Sequence, residues 1–140
     1  MTANDVNTIA TELWWLAVMG LVMAATSLPY VLNRIGTWGL WRALDNPKPS
    51  LPPLSPWAER LKAAHYNTVE NVVIFAPLAV AVVVAGAADA TTALAAQAFV
   101  LSRIVFLVVY ALGIPVLRTL AFLVGWLSIV ALALRLLSVI

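Results

Sequence analysis

The residues best suited to chemistry lie in one stretch, residues 59–71, which leads without a break into a long apolar segment. The stretch carries two acids, two bases and the only histidine of the chain. A helix that starts here takes Asn67 and Glu70 below the membrane surface. An ionisable group at that depth is costly in free energy and is therefore a functional-site candidate. We predict that this segment builds the polar pocket of a small integral-membrane enzyme.

Two polar stripes on neighbouring helices are predicted to meet. Asn67 and Glu70 share one face of the second span by i, i+3 spacing, and Arg103 and Tyr110 share a face of the third. A rise of 1.5 Å per residue places Glu70 about 20 Å along its helix and Arg103 about 13 Å from the end of the antiparallel one. We expect these two charges to pair, because an unpaired charge there costs several kcal/mol. Such a pair could fix helix register or contact a ligand, and Asn67 could bond a neighbouring helix.

Basic and hydrogen-bonding residues gather at one end of the predicted spans and would form a cationic mouth above the buried carboxylate. This mouth suits a small anionic or zwitterionic ligand that enters from the cytosol. An arginine there could bind a carboxylate or stabilise a thiolate. Because the chain has no cysteine, a thiol would have to arrive with a co-substrate. Taken singly, each residue also fits an ordinary membrane-interface position. The residues are Arg34, Arg60, Lys62, Tyr110 and Arg118.

The elements that must position these residues are predicted to be membrane spans. The chain of 140 residues is 64% hydrophobic and 10% charged, with a mean hydropathy of +1.00, which is typical of a membrane protein. Four apolar stretches reach the roughly 20 residues that a helical span needs. We predict an all-α integral membrane fold, a four-helix up-down bundle forming one domain over 1–140. The predicted helices are about 8–32, 57–85, 90–112 and 116–138, with a Pro-rich loop over 33–56.

The placement of lysine and arginine predicts the orientation in the membrane. Five of the eight basic residues lie within 34–62, whereas the N-terminal tail and the second loop have none. By the positive-inside rule the long loop is cytoplasmic and both termini face out. One histidine and no cysteine argue against a metal site. Scattered basic residues give no support for nucleic-acid binding.

The combined motif resembles the MAPEG family, the membrane-associated proteins of eicosanoid and glutathione metabolism, and in particular its bacterial-type members similar to microsomal glutathione transferase. The second span resembles the family signature, and the third resembles its series of arginine, aromatic residue and tyrosine. The turn before the last span resembles the Pro-x-x-Arg segment that opens the last helix. The residues that carry the resemblance are Glu59, Arg60, Lys62, Ala64, His65, Asn67, Glu70, Asn71, Arg103, Phe106, Tyr110, Pro115 and Arg118.

The resemblance implies a homotrimer that binds glutathione between subunits on the cytoplasmic side, in a bacterial inner membrane. It implies a transferase or peroxidase that acts on lipophilic electrophiles reaching it from the bilayer. Arg118 resembles the arginine that stabilises the glutathione thiolate. The implied glutathione-binding residues are Arg34, Arg60, Asn67, Glu70, Arg103 and Tyr110.

Three positions depart from the family pattern. Phe106 stands where members often have histidine or tyrosine, Phe122 where some have tyrosine, and Tyr66 where some have arginine. The departures at Phe106 and Phe122 favour an alternative hypothesis, a non-catalytic membrane protein of the same fold that binds lipid or acts as an accessory subunit. A proton or solute carrier that uses Glu70 and Arg103 is a third hypothesis, and four spans without an internal repeat fit it poorly.

Overall fold

The fold is a helical bundle, seen in a computed structural model that describes residues 9–46 and 48–138; no strand occurs among them. Four helices are long and apolar enough to span a membrane, which confirms the predicted four-span architecture. Thr8, the predicted start of the first helix, lies outside the described residues, as does Pro47. The helices are α1 (Thr11–Trp38), α2 (Leu40–Leu44), α3 (Pro56–Val84), α4 (Ala90–Leu112) and α5 (Pro115–Leu136).

Helix α1 is longer than predicted, and the loop after it is correspondingly shorter. The apolar pattern ends near residue 32, but the helix continues through Asn33 and Arg34 to Trp38. Gly39 ends it with a φ of 78°, a conformation that favours glycine. Helix α2 follows directly, so that most of the first half of the predicted loop is helical. The hydropathy pattern marks where the hydrocarbon ends, whereas Gly39 marks where the helix ends.

The loop is tied to α1 just before α3 begins. Asn33 donates from Nδ2 to the Ser55 Oγ at 2.9 Å and accepts the Ser55 backbone N–H at 3.1 Å. Ser55 lies at the N-cap of α3 and Pro56 at its first helical position, one residue before the predicted start, and the Ser55 side chain makes no capping bond among the described residues. These bonds hold the start of α3 against α1. They therefore place the polar first half of α3 within the bundle.

Helices α3 and α4 form the centre of the bundle, with α1 and α5 on its two sides. The rings of Phe75 and Phe99 stack between the central helices with centroids 4.0 Å apart, and Met19 and Leu132 close the same fully buried cluster. Since lipid tails are as apolar as these side chains, close packing and dispersion hold the helices together more than exclusion of water does. This core fixes the relative positions of the helices that carry the polar residues.

We call the end of the bundle where α1 ends and α3 begins the loop end, and the opposite end the terminal end. At the terminal end, Asp89 caps α4 by accepting the backbone N–H groups of Thr91 and Thr92, at 2.9 and 3.0 Å. Arg135 near the end of α5 donates to Asp89 at 2.9 Å, and Thr92 bonds the buried Glu12 of α1. These polar contacts join three helices far from the loop end.

Stability at low pH is expected to depend on Asp89. The hydrogen bond from the Thr92 backbone N–H lowers the pKa of Asp89, with partial desolvation opposing and Arg135 assisting. A lowered pKa in the folded state gives stability that is present above the unfolded value and is lost as pH falls through the folded value. We expect wild type to lose more thermal stability in detergent than Asp89→Asn between about pH 6 and about pH 3. Parallel losses in the two proteins would contradict this role.

Candidate functional site

A small polar cavity lies near the loop end between α3, α4 and α5. Its volume is about 270 Å³, and no residue of α1 lines it. Gly113, in the left-handed conformation at the end of α4, and Pro115, at the start of α5, make the tight turn that brings these two helices together. The lining residues are Asn67, Phe106, Tyr110, Arg118, Thr119 and Phe122. Three of the sequence-predicted site residues, Asn67, Tyr110 and Arg118, therefore share one cavity.

Arg118 is positioned by the first turn of α5 and by an aromatic ring. Its Cζ lies 4.7 Å from the centroid of the Tyr110 ring, and Phe106 packs edge-on against that ring at 5.4 Å. The side chain is half-buried, and no described residue forms an ion pair with it. Arg118 lies in the first turn of α5, so the positive end of that helix's dipole adds to the positive charge of the guanidinium. The cavity therefore presents an uncompensated positive charge that suits an anion.

Arg103 lies beneath the cavity in a cage of three phenylalanine rings. Its Cζ is 5.5, 5.2 and 5.1 Å from the ring centroids of Phe99, Phe106 and Phe122, and the side chain is fully buried. The guanidinium donates to the Asn67 Oδ1 at 3.4 Å and to the Phe122 carbonyl at 3.2 Å, while Nε has no hydrogen-bond partner among the described residues. Ring faces attract cations, so the cage offsets part of the cost of burying this charge.

The predicted ion pair between Glu70 and Arg103 is wrong. The face of α3 that packs into the bundle carries Ala64, Thr68 and Phe75, whereas Glu70 points away from it and is exposed. Glu70 forms no ion pair with any described residue. Asn67 and Glu70 do lie on the same side of α3, as their i, i+3 spacing predicts. Of the two, only Asn67 reaches Arg103 and the cavity.

Arg60 and Arg34 do not line the cavity within one chain. Arg60 donates from Nε to the Ala111 carbonyl at 2.9 Å, so it satisfies a carbonyl at the end of α4. Arg34, on the extended part of α1, lies over the Trp38 ring at 5.3 Å. His65 does not line the cavity, and its Nδ1 bonds the Tyr30 hydroxyl at 2.9 Å, which joins α3 to α1. All three have structural contacts in the single chain.

Gly125 is the site residue that sequence reasoning missed. A Cβ atom built on Gly125 would lie 2.5 Å from the Arg103 Nη2 and 2.8 Å from its Nε. Only glycine therefore leaves room for the guanidinium where it lies. A glycine inside an apolar helical stretch often marks a close approach, and this feature could have drawn attention to it.

An apolar groove of about 480 Å³ lies on the opposite face of α4, between α1, α3 and α4. Its walls include Val22, Pro29, Leu61 and Leu107, and almost all of its surface is carbon. It has the larger volume, but no charged side chain is among its lining residues, and its one hydroxyl, on Thr26, donates to the Val22 carbonyl. The polar cavity is therefore the candidate functional site.

The fold and the site together define a membrane protein with a cationic cavity inside a four-span bundle. The chain belongs to the MAPEG family, whose family model matches residues 11–138. Members of this family are membrane proteins of glutathione and eicosanoid metabolism that generally use glutathione. No significant match was found among curated proteins or among solved structures.

Proposed function

We propose that this protein is a membrane-bound glutathione transferase or peroxidase in which Arg118 stabilises the glutathione thiolate. The observation that carries the proposal is the half-buried Arg118 guanidinium, which is held on the Tyr110 ring in a polar cavity without a counterion from the described residues. The chain has no thiol of its own, so the nucleophile comes with the co-substrate.

The energy available from one arginine is large enough for this task. A free thiol has a pKa of about 8.5, and bringing it to about 7 requires roughly 2 kcal/mol. A unit charge 4 Å from the sulfur contributes about 4 kcal/mol at the effective dielectric constant typical of such sites. An arginine at that distance would therefore supply the roughly 2 kcal/mol needed, with the rest set against the cost of desolvating the thiolate, which is the nucleophilic form.

We infer that the site is completed by neighbouring copies in a homotrimer. The exposed Glu70 supports this proposal, because a carboxylate at membrane depth is unfavourable unless a partner or ligand covers it. Glu70 shares a flank of α3 with Asn67, so a subunit packed there would also border the cavity. The same assembly could bring Arg34 and Arg60 towards glutathione.

The positive-inside rule supports a cytoplasmic loop end, so glutathione would enter from the cytosol with both termini outside. The lipophilic electrophile or hydroperoxide would reach the site from the bilayer. The proposed location in a bacterial inner membrane follows from the resemblance to bacterial-type members of the family. Lys62, half-buried near the start of α3, adds to the basic character of the loop end.

A second candidate, a non-catalytic lipid-binding or accessory protein, is favoured by two rings of the cage. Phe106 and Phe122 line the cavity and supply no hydrogen-bond donor, whereas family members often have histidine or tyrosine at the first position and some have tyrosine at the second.

Turnover separates the two candidates. Purified protein in detergent or nanodiscs is mixed with glutathione and a generic aromatic electrophile, and with glutathione and a lipid hydroperoxide. We expect conjugation or reduction well above the rate without protein. Tight lipid binding with no turnover of either substrate would favour the non-catalytic candidate instead.

A further inference from the structure

We propose that Arg103 is a positioning residue that turns the Asn67 amide so that only its NH₂ group faces the cavity. The cavity would then bind the part of its ligand that accepts hydrogen bonds, a carboxylate or a peptide carbonyl, and would disfavour an ammonium group. The identity of the ligand as glutathione rests on the proposed function, but the orientation of the amide rests on the contacts of this chain alone.

The first step concerns the groups around the amide oxygen. The Arg103 Nη1 approaches the Asn67 Oδ1 at 3.4 Å and the Asn71 Nδ2 approaches it at 3.5 Å. A guanidinium has donors and no acceptor. If the amide were turned over, its NH₂ group would face these donors with no acceptor between them. The oxygen must therefore point towards Arg103, and the nitrogen is left for the cavity that Asn67 lines.

The second step is that Arg103 cannot follow the amide if it turns. The Phe122 carbonyl accepts from Nη2 at 3.2 Å, and three rings surround the guanidinium. The guanidinium occupies the space beside Gly125, a niche that exists only because glycine has no side chain: a Cβ there would lie 2.5 Å from Nη2. Arg103 is fully buried and does not line the cavity, so it acts on a ligand through Asn67 rather than by touching it.

The third step concerns the selectivity that results. With the amide in this orientation, the cavity offers the Asn67 NH₂, the Tyr110 hydroxyl and the Arg118 guanidinium, and no carboxylate of the described residues lines it. Hydrogen bonds in which the donor or the acceptor is charged are stronger than those between two neutral groups. A ligand carboxylate would gain from all three groups, whereas an ammonium group could bond only the oxygen of the Tyr110 hydroxyl and would meet an NH₂ donor and a cation that cannot accept from it.

Asn67→Asp is the discriminating variant because it keeps the size of the side chain but replaces the neutral amide with a carboxylate. The carboxylate should strengthen the contact with Arg103 and weaken the binding of an anionic ligand in the cavity. One carboxylate oxygen would accept from Arg103 and form an ion pair, so we expect thermal stability at or above that of wild type. The other oxygen would place negative charge in the cavity, so we expect the Kd for glutathione to rise at least tenfold. Asn67→Leu should lower both stability and affinity. If Asn67→Asp bound glutathione as tightly as wild type, the proposal would be overturned.

Gly125→Ala tests the niche directly. The added Cβ must displace the guanidinium, so we expect weaker glutathione binding than in wild type. Gly20→Ala is the matched control, because Gly20 also lies inside a helix and a Cβ there meets no atom within 4 Å. Equal glutathione affinity in Gly125→Ala and Gly20→Ala would overturn the proposal.

If wild type binds no glutathione, the proposed function fails, and this inference is then judged on thermal stability without ligand. Asn67→Asp melting above Asn67→Leu would support the contact with Arg103. Asn67→Asp melting at or below Asn67→Leu would overturn it. The two failures are therefore distinguishable.

Discussion

Replacing Arg118 by leucine is expected to reduce glutathione-dependent turnover at neutral pH by roughly 15- to 30-fold, because a thiol with a pKa of about 8.5 is only about 3% ionised at pH 7, whereas one held at about 7 or below is at least about half ionised. The guanidinium lies at the cavity on the Tyr110 ring and has no counterion among the described residues. Without it, the bound thiol should keep a pKa near the free value of about 8.5. The variant should therefore regain activity as pH rises through that value, whereas wild type should change little.

The pH profile is what separates this role from a structural one. A variant that is merely misfolded would lose activity at every pH. Arg42→Leu serves as the matched control, because Arg42 is an exposed residue of α2 outside the cavity. Turnover is measured from about pH 6 to about pH 9, on either side of the free thiol pKa. An Arg118→Leu profile parallel to that of wild type would rule out a thiolate-stabilising role for Arg118.

Replacing Glu70 by leucine distinguishes a carboxylate that faces a neighbour or ligand from one that faces lipid, because the resulting change in protein stability has opposite signs in the two cases. A carboxylate facing lipid is destabilising, so its replacement would stabilise the protein by about 2–3 kcal/mol. If a neighbouring subunit or the ammonium group of glutathione covers the carboxylate, replacing it by leucine would remove that interaction and destabilise the assembly or the complex. We expect the second result, with a lower trimer fraction and a Kd for glutathione at least tenfold higher.

Oligomer mass in detergent, thermal stability and glutathione affinity are measured on the same samples. Glu70→Gln is the matched variant, since it keeps the size and the hydrogen-bonding capacity but removes the charge. We expect it to fall between wild type and Glu70→Leu. A Glu70→Leu protein that is more stable than wild type, with unchanged mass and affinity, would place Glu70 against lipid and remove the support for a trimer.

The membrane spans could be predicted from the sequence because the length and hydropathy of a segment determine whether it can cross a bilayer. About 20 apolar residues are needed to cross the hydrocarbon, and the helix α4 was predicted at its observed limits because Asp89 and Gly113 mark both ends. Helix α1 was predicted too short because the hydropathy pattern reports lipid contact, while the helix continues beyond it to Gly39. Hydropathy therefore predicts that a span is present more reliably than it predicts where the helix ends.

The site was only partly readable for a different reason. Spacing along a helix shows which residues share a face, and it placed Asn67 and Tyr110 among the candidates, whereas Arg118 came from the group of basic residues at one end of the spans and from the family resemblance. It does not show which neighbour that face meets, and so Glu70 was wrongly paired with Arg103. The contacts that hold Arg103 come from Phe122 and Gly125 on another helix. Such a niche depends on how close two helices approach, which no local pattern reports.

The measurement that tests the central claim most directly is the ionisation of glutathione bound to the wild-type protein. The ultraviolet absorbance of the thiolate is followed as pH is varied, with S-methylglutathione as the ligand that cannot ionise at sulfur. A thiol pKa well below the free value of about 8.5, absent in Arg118→Leu, is the result we predict. Bound glutathione that ionises at the free value, or no binding at all, would contradict the account.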